Sequence, residues 1–235
     1  MKKFLLCVVA LLSSHVMHAQ YFCSEEGTEL RYVNYDGAGQ GISDENITVT
    51  NVSKEGNMLK ACYFDKIVTI KVKDNTTYTL FNWSYDGEKT VCTEDLMYGP
   101  YIDSDSDPDG YNEQARMRML DDKKFNGDNS WSLADDAAAG SSLPDRFYEY
   151  VPKMLKTEVT ISGGSCLGTE QVSTTAGKFD CIKISYLKRT KVVLKTTTVR
   201  VTEWYAKGVG LVKSESFDLK GKPAGKTLLV KITKK

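Results

Sequence analysis

The feature that most limits what this chain can become is the run 174–221, TTAGKFDCIKISYLKRTKVVLKTTTVRVTEWYAKGVGLVKSESFDLKG. β-Branched and aromatic residues alternate there with Lys, Thr and Ser, and short Gly- or Lys-containing turns recur about every ten residues. Such a pattern suits an antiparallel meander and no helical arrangement. The run holds no phosphate loop, no metal-ligand cluster and no nucleophile paired with a base.

The N-terminus bounds where the protein works. Lys2 and Lys3 precede an apolar run over 4–12 and a polar stretch ending at Ala19, the form of a secretory leader with cleavage after Ala19. The expectation is an exported protein of the periplasm or the extracellular space. The apolar run falls short of the about 20 residues a membrane helix needs, and no later segment approaches that length. No transmembrane segment is expected. His15 and His18 are the only histidines, so cleavage leaves a chain without imidazole. Ser-His and Cys-His nucleophiles and His-ligated zinc then drop out, leaving carboxylate or lysine chemistry.

The charge is uneven. From Lys178 to the end there are 15 Lys and Arg against 4 Asp and Glu, although the whole chain balances 31 against 31. Basic residues on the solvent face of strands protect sheet edges, and the two halves can neutralise one another, so no nucleic-acid partner is inferred.

In chain order, strands are predicted at 28–35, 47–52, 58–64, 68–72 and 78–85, an N-terminal meander within residues 20–98. Tyr35-Asp36, Phe64-Asp65, Tyr85-Asp86 and Phe217-Asp218 repeat one corner signature, with the ring packing on the sheet end and the carboxylate accepting backbone N–H bonds. Residues 99–155 turn acidic and Gly/Ala-containing, with two short helices expected at 112–120 and 144–155. Leu143, Phe147, Tyr148 and Val151 fall at helical spacing, with Pro144 in the first turn and Pro152 ending or kinking the helix. From 156 the strands resume, at 156–162, 168–173, 179–187, 191–205, 210–217 and 227–233. The expected fold is mostly β (α+β): after a leader over 1–19, a single domain over 20–235. It would be a strongly curved antiparallel sheet or half barrel, with a short helical insert covering one face.

Three constellations could carry chemistry. Asp105, Asp107 and Asp109 before Gly110 match the first half of a calcium loop, with Glu113 at the ninth position, but Arg116 stands where the bidentate Glu belongs. A solvated acidic loop is the competing reading, and no other cofactor is expected. Glu170, Glu203 and Glu215 lie on candidate strands, and two carboxylates near aromatics are what a glycan hydrolase requires. Cross-strand ion pairs with Lys183, Lys195 and Lys213 are the plainer account. Five cysteines remain after processing: Cys23, Cys62, Cys92, Cys166 and Cys181. An Ala176-Gly177 turn would set Cys181 opposite Val172 and leave Cys166 about 20 Å away, and the earlier hairpins would set Cys92 opposite Phe81, so local disulfides are disfavoured. Cys23 is freest to find a partner, and buried unpaired thiols are equally compatible.

Two motifs carry a resemblance. G-T-E-x-V-x-T-x-A-G-x-F-x-C-x-K-I-x-Y over 168–186 and W-Y-A-x-G-V-G-L-V-K-S-E over 204–215 resemble a family of secreted proteins of unknown function from Gram-negative bacteria, allied to domains with a lipoprotein-localisation-factor-like fold. E-G-T-E-L-R-Y from Glu26 and A-G-S-S-L-P-D from Ala139 fit it more loosely. The resemblance implies a half barrel with a helical segment at its mouth and brings no catalytic residues. The functional expectation is a non-enzymatic domain that holds an apolar or amphiphilic, lipid-like ligand on the concave face, through Phe147, Tyr186, Trp204 and Tyr205, under the 144–155 helix. The alternatives are an envelope structural or protein-interaction module without a small-molecule site, and a carboxylate hydrolase.

Overall fold

The computed structural model describes residues 20–65, 75–100, 125–150 and 156–234. Thirteen strands occur among them: β1 Glu29–Asp36, β2 Gly41–Glu55, β3 Met58–Asp65, β4 Asn75–Tyr85, β5 Lys89–Pro100, β6 Phe125–Gly127, β7 Trp131–Ala134, β8 Arg146–Tyr150, β9 Thr157–Thr174, β10 Gly177–Val192, β11 Lys195–Ala206, β12 Gly210–Asp218 and β13 Pro223–Thr233. They form one antiparallel sheet in the order β6-β8-β9-β10-β11-β12-β13-β1-β2-β3-β4-β5-β7. The two meanders are joined where β13 pairs with β1, Glu29 opposite Thr233.

The ladder does not close into a barrel, yet its two edges cannot lie far apart. β6 and β7 are the edge strands, and only residues 128–130 link them, which at under about 3.6 Å per residue holds the edges close together. Each linker residue is tied down: Asp128 N–H donates to Phe147 O of β8 (2.9 Å), Arg146 of β8 donates to Ser130 O (2.8 Å), and the Asn129 amide donates to Glu94 O of β5. The sheet therefore curls on itself along a seam held by these bonds. Gly127, at φ +98°, permits the approach, since a Cβ there would collide with the Phe147 carbonyl.

The concave face carries the main core. Phe22, Leu30, Val49, Leu133, Ile184 and Leu229 are fully buried in or against it. A chain of rings crosses the curl: Phe22 stacks on Trp83 (5.7 Å), Trp83 meets Tyr63 (5.6 Å) and Trp131 (5.7 Å), and Trp131 meets Tyr205 (4.6 Å). Residues 20–23 fill part of this face, held by Gly208 N–H to Gln20 O (2.8 Å), Tyr21 N–H to Thr90 Oγ1 (3.0 Å) and Tyr63 Oη to Cys23 O (3.0 Å).

The carboxylate half of the corner signature holds at three of its four positions, the turn after Phe64-Asp65 lying outside the described residues. Asp36 Oδ1 accepts from Ala38 and Gln40 N–H, Asp86 Oδ1 from Glu88 and Lys89, and Asp218 Oδ1 from Lys220 and Lys222, all at 2.8–3.0 Å. Three expectations are corrected. The described part of the 144–155 helix is a strand: β8 pairs with β9, Arg146 opposite Ile161 and Tyr150 opposite Thr157. Three aromatics in the five residues RFYEY favour a pleated surface, and the consecutive Phe147 and Tyr148 then point to opposite faces. No helix occurs among the described residues, so the insert does not supply a helical cover there. The β9–β10 turn is Thr175-Ala176, so Cys181 lies opposite Glu170 rather than Val172, and Cys92 lies opposite Trp83 rather than Phe81. Among the described residues none of Cys23, Cys62, Cys92, Cys166 and Cys181 is in a disulfide, and all but Cys62 are buried. The 112–120 helix, the strand at 68–72 and Asp105, Asp107 and Asp109 lie outside the described residues.

Candidate functional site

Where the curl brings the two halves of the sheet together it leaves a cavity of about 190 Å³. Phe81, Trp83, Cys92 and Glu94 reach it from β4 and β5, Trp131 from β7, Arg146 and Tyr148 from β8, Ile161 from β9, Tyr186 and Lys188 from β10, and Glu203 and Tyr205 from β11, with Asn129 from the seam. A smaller recess of about 80 Å³ along the seam shares Trp131, Arg146, Ile161 and Tyr186. The strand period explains the set. Tyr186 and Lys188 share one face of β10, and Glu203 and Tyr205 one face of β11, the face that also carries Ile184 into the core.

The walls are aromatic and charged. Tyr205 Oη donates to Glu203 Oε2 at 3.1 Å, and the Tyr186 hydroxyl also hydrogen-bonds to Glu203. Burial pushes the Glu203 carboxyl above its ordinary range, opposed by those two hydroxyls and then by Lys188 and Arg146. Burial likewise pushes Tyr186 and Tyr205 well above the usual phenol range, with the Glu203 charge adding to it, so both rings keep their protons as donors. The Cys92 thiol is held well above its ordinary range by burial first and Glu94 second, which makes it a poor nucleophile. Two rings of the wall, Trp83 and Trp131, bury indole N–H groups that have no hydrogen-bond partner. A buried donor left unmade costs about 1–3 kcal/mol.

The four residues expected to bind a ligand separate. Tyr186 and Tyr205 meet at the cavity. Trp204 sits on the opposite face in a second cluster with Val172, Cys181, Ala206 and Val212, its Nε1 donating to Glu170 (3.2 Å) and its ring covered by Lys213 (4.3 Å) and Lys183 (5.0 Å). Phe147 points outward from β8 and is 49% exposed. The glutamates separate too. Glu170 pairs with Lys183 (2.9 Å) and Glu215 with Lys213 (2.8 Å), as cross-strand and same-strand ion pairs on the outer surface, whereas Glu203 faces inward. Glu94, not Glu170, shares the cavity with Glu203. Sequence reasoning missed Trp131, Glu94, Arg146 and Lys188; the two-residue parity of Tyr186/Lys188 and Glu203/Tyr205 was the one available signal. No group of three or more potential metal ligands occurs among the described residues.

The DUF3108-like family model matches residues 25–229. The chain belongs to the DUF3108-like family. No curated protein matches. Two solved structures resemble this DUF3108-like chain in fold: a candidate exported protein with a YmcC-like fold from Bacteroides fragilis (TM-score 0.66) and a candidate lipoprotein from Parabacteroides distasonis (TM-score 0.65). Each is 19% identical and aligns over 91% of this chain and 98% of its own.

Proposed function

We propose that this DUF3108-like chain is a non-enzymatic exported protein that takes a small amphiphile, or the head of a larger one, into the concave cavity. Export rests on the leader-like N-terminus and agrees with the words exported and lipoprotein borne by the two fold neighbours. The observation that carries the binding proposal is the joining of Arg146, Lys188 and two buried, unpartnered indole donors to a wall of aromatic rings. The rings suit an apolar part and the cations an anionic group, while Glu203 with its two tyrosines supplies an acceptor. A volume of about 190 Å³ lies below the 300–1,000 Å³ usual for drug-sized ligands, which favours a head group over a whole acyl chain.

Tryptophan fluorescence tests the proposal, because two of the chain's 3 tryptophans line the cavity and the third, Trp204, does not. In a Trp204→Phe background, alkyl phosphates or carboxylates should change the emission saturably, with little gain in affinity once the chain outgrows the cavity. Arg146→Ala should weaken that binding about 10- to 100-fold, as loss of a charge-assisted hydrogen bond does. No saturable change with any chain length would refute it. One observation favours a second reading, the envelope interaction module: Tyr21, Phe22 and Cys23 already fill part of the concave face.

A further inference from the structure

We infer that one end of the sheet docks on an anionic lipid surface through its hairpin tips. Four of the six large apolar side chains exposed among the described residues stand at that end: Val193 and Leu194 on the β10–β11 tip, Leu219 on the β12–β13 tip and Ile42 beside the β1–β2 tip. Leu194 is 97% exposed and Leu219 69%. The sheet order places these hairpins side by side, and at about 4.8 Å per strand the three tips span about 20 Å along one rim.

The turns hold the apolar residues out. The Asp218 carboxylate ties the N–H groups of Lys220 and Lys222, leaving Leu219 at the apex, and Val193 adopts φ +53°, uncommon for a β-branched residue, so that Leu194 projects.

The charge of the rim names the partner. Between Ile184 and Thr202 the β10–β11 hairpin carries Arg189, Lys191, Lys195 and Arg200, besides the cavity-lining Lys188, and no acidic residue, and Lys220 and Lys222 flank Leu219. Among the described residues Arg189, Lys195, Lys220 and Lys222 make no ion pair, whereas the nearby acids are engaged: Asp36 and Asp218 by turn N–H groups, Asp44 by Arg31, and Glu158 by Lys156 and Lys191. Apolar tips ringed by free cations match an interface that offers acyl chains beneath anionic head groups. This inference stands apart from the cavity.

Sedimentation of the purified folded protein with phosphatidylcholine vesicles, with and without one quarter phosphatidylglycerol, tests it. Binding should require phosphatidylglycerol, weaken with salt, fall at least tenfold in a Leu194→Ser/Leu219→Ser double variant and fall similarly in Lys195→Glu. Both leucines are so exposed that the variants should keep the wild-type near-UV spectrum and melting temperature. Absence of binding to the anionic vesicles, or binding unchanged in the double variant, would overturn the inference. So would vesicle-independent self-association lost in that variant, which would assign the tips to a second copy of the chain.

Discussion

Truncating Phe22 is the sharpest test of how the concave face is built. The side chain is fully buried, its ring stacks on Trp83, and the backbone around it is held by Gly208 N–H to Gln20 O and Tyr21 N–H to Thr90 Oγ1. Phe22→Ala removes a core aromatic at a site flanked by strands that cannot collapse inward, so the cost should be about 3–5 kcal/mol. For a chain of this size each kcal/mol lowers the melting temperature by about 2–4 °C, giving a fall of roughly 6–20 °C. Thermal melting followed by near-UV circular dichroism reads it, with urea denaturation as the second measure. Because Trp83 lines the cavity and also backs Phe22, the variant should also open space beside the cavity and admit longer alkyl chains in the fluorescence titration. A fall under about 3 °C with unchanged ligand selection would mean that residues 20–23 do not occupy the core in solution. The packing argument would then fail.

Phe147→Ala should cost under about 1.5 kcal/mol in urea denaturation, because nearly half of the residue is already in water; a core-sized loss would restore the buried helical cover expected from sequence. Gly127→Ala should lower the melting temperature by several degrees, since positive φ and contact with the Phe147 carbonyl together cost about 1–3 kcal/mol, and the weakened seam should admit limited proteolysis. Glu203 predicts a pH signature: its folded carboxyl titrates above the unfolded one, so its contribution favours folding below the unfolded value, near 4.5, and turns against it as pH rises through the folded value. Glu203→Gln should therefore gain stability relative to wild type at pH 7 and not at pH 4, and equal differences at both values would contradict a buried, ionising Glu203.

The strands were legible because most of them carry local signals. The alternation over 174–221 placed β12 within one residue of its observed limits, whereas the break expected between 187 and 191 lies inside β10, whose turn into β11 is Val193-Leu194; the aromatic-Asp corners marked turns whose carboxylates do cap backbone N–H groups at Asp36, Asp86 and Asp218. The segment at 144–150 misled for a physical reason. Its apolar spacing matches a helix, but Phe147 and Tyr148 are adjacent, and adjacency separates them onto two faces once β9 offers an edge to pair with. A one-dimensional period cannot reveal that a partner edge is available: Thr157–Ile161 alternates as a strand, but nothing local says that 146–150 will pair with it.

The cavity was legible only in its β10 and β11 wall. Tyr186, Lys188, Glu203 and Tyr205 are two residues apart in pairs, so a strand reading puts each pair on one face, yet nothing local says whether that face is inner or outer; Trp204, one residue away, took the other side. The opposite wall comes from Phe81 through Tyr148, and its meeting with the first depends on the seam at 128–130, three residues whose bonds are almost all non-local. Charge placement then narrows the role of the site. A half-buried Arg146 that donates to Ser130 O while lining the cavity braces the seam and presents a cation inward at once. If Arg146 were only a brace, a neutral donor such as Gln would replace it in both respects. If it meets an anion, Arg146→Gln should keep the melting temperature near wild type and still lose alkyl phosphate binding, the outcome that distinguishes a binding cavity from a packing defect.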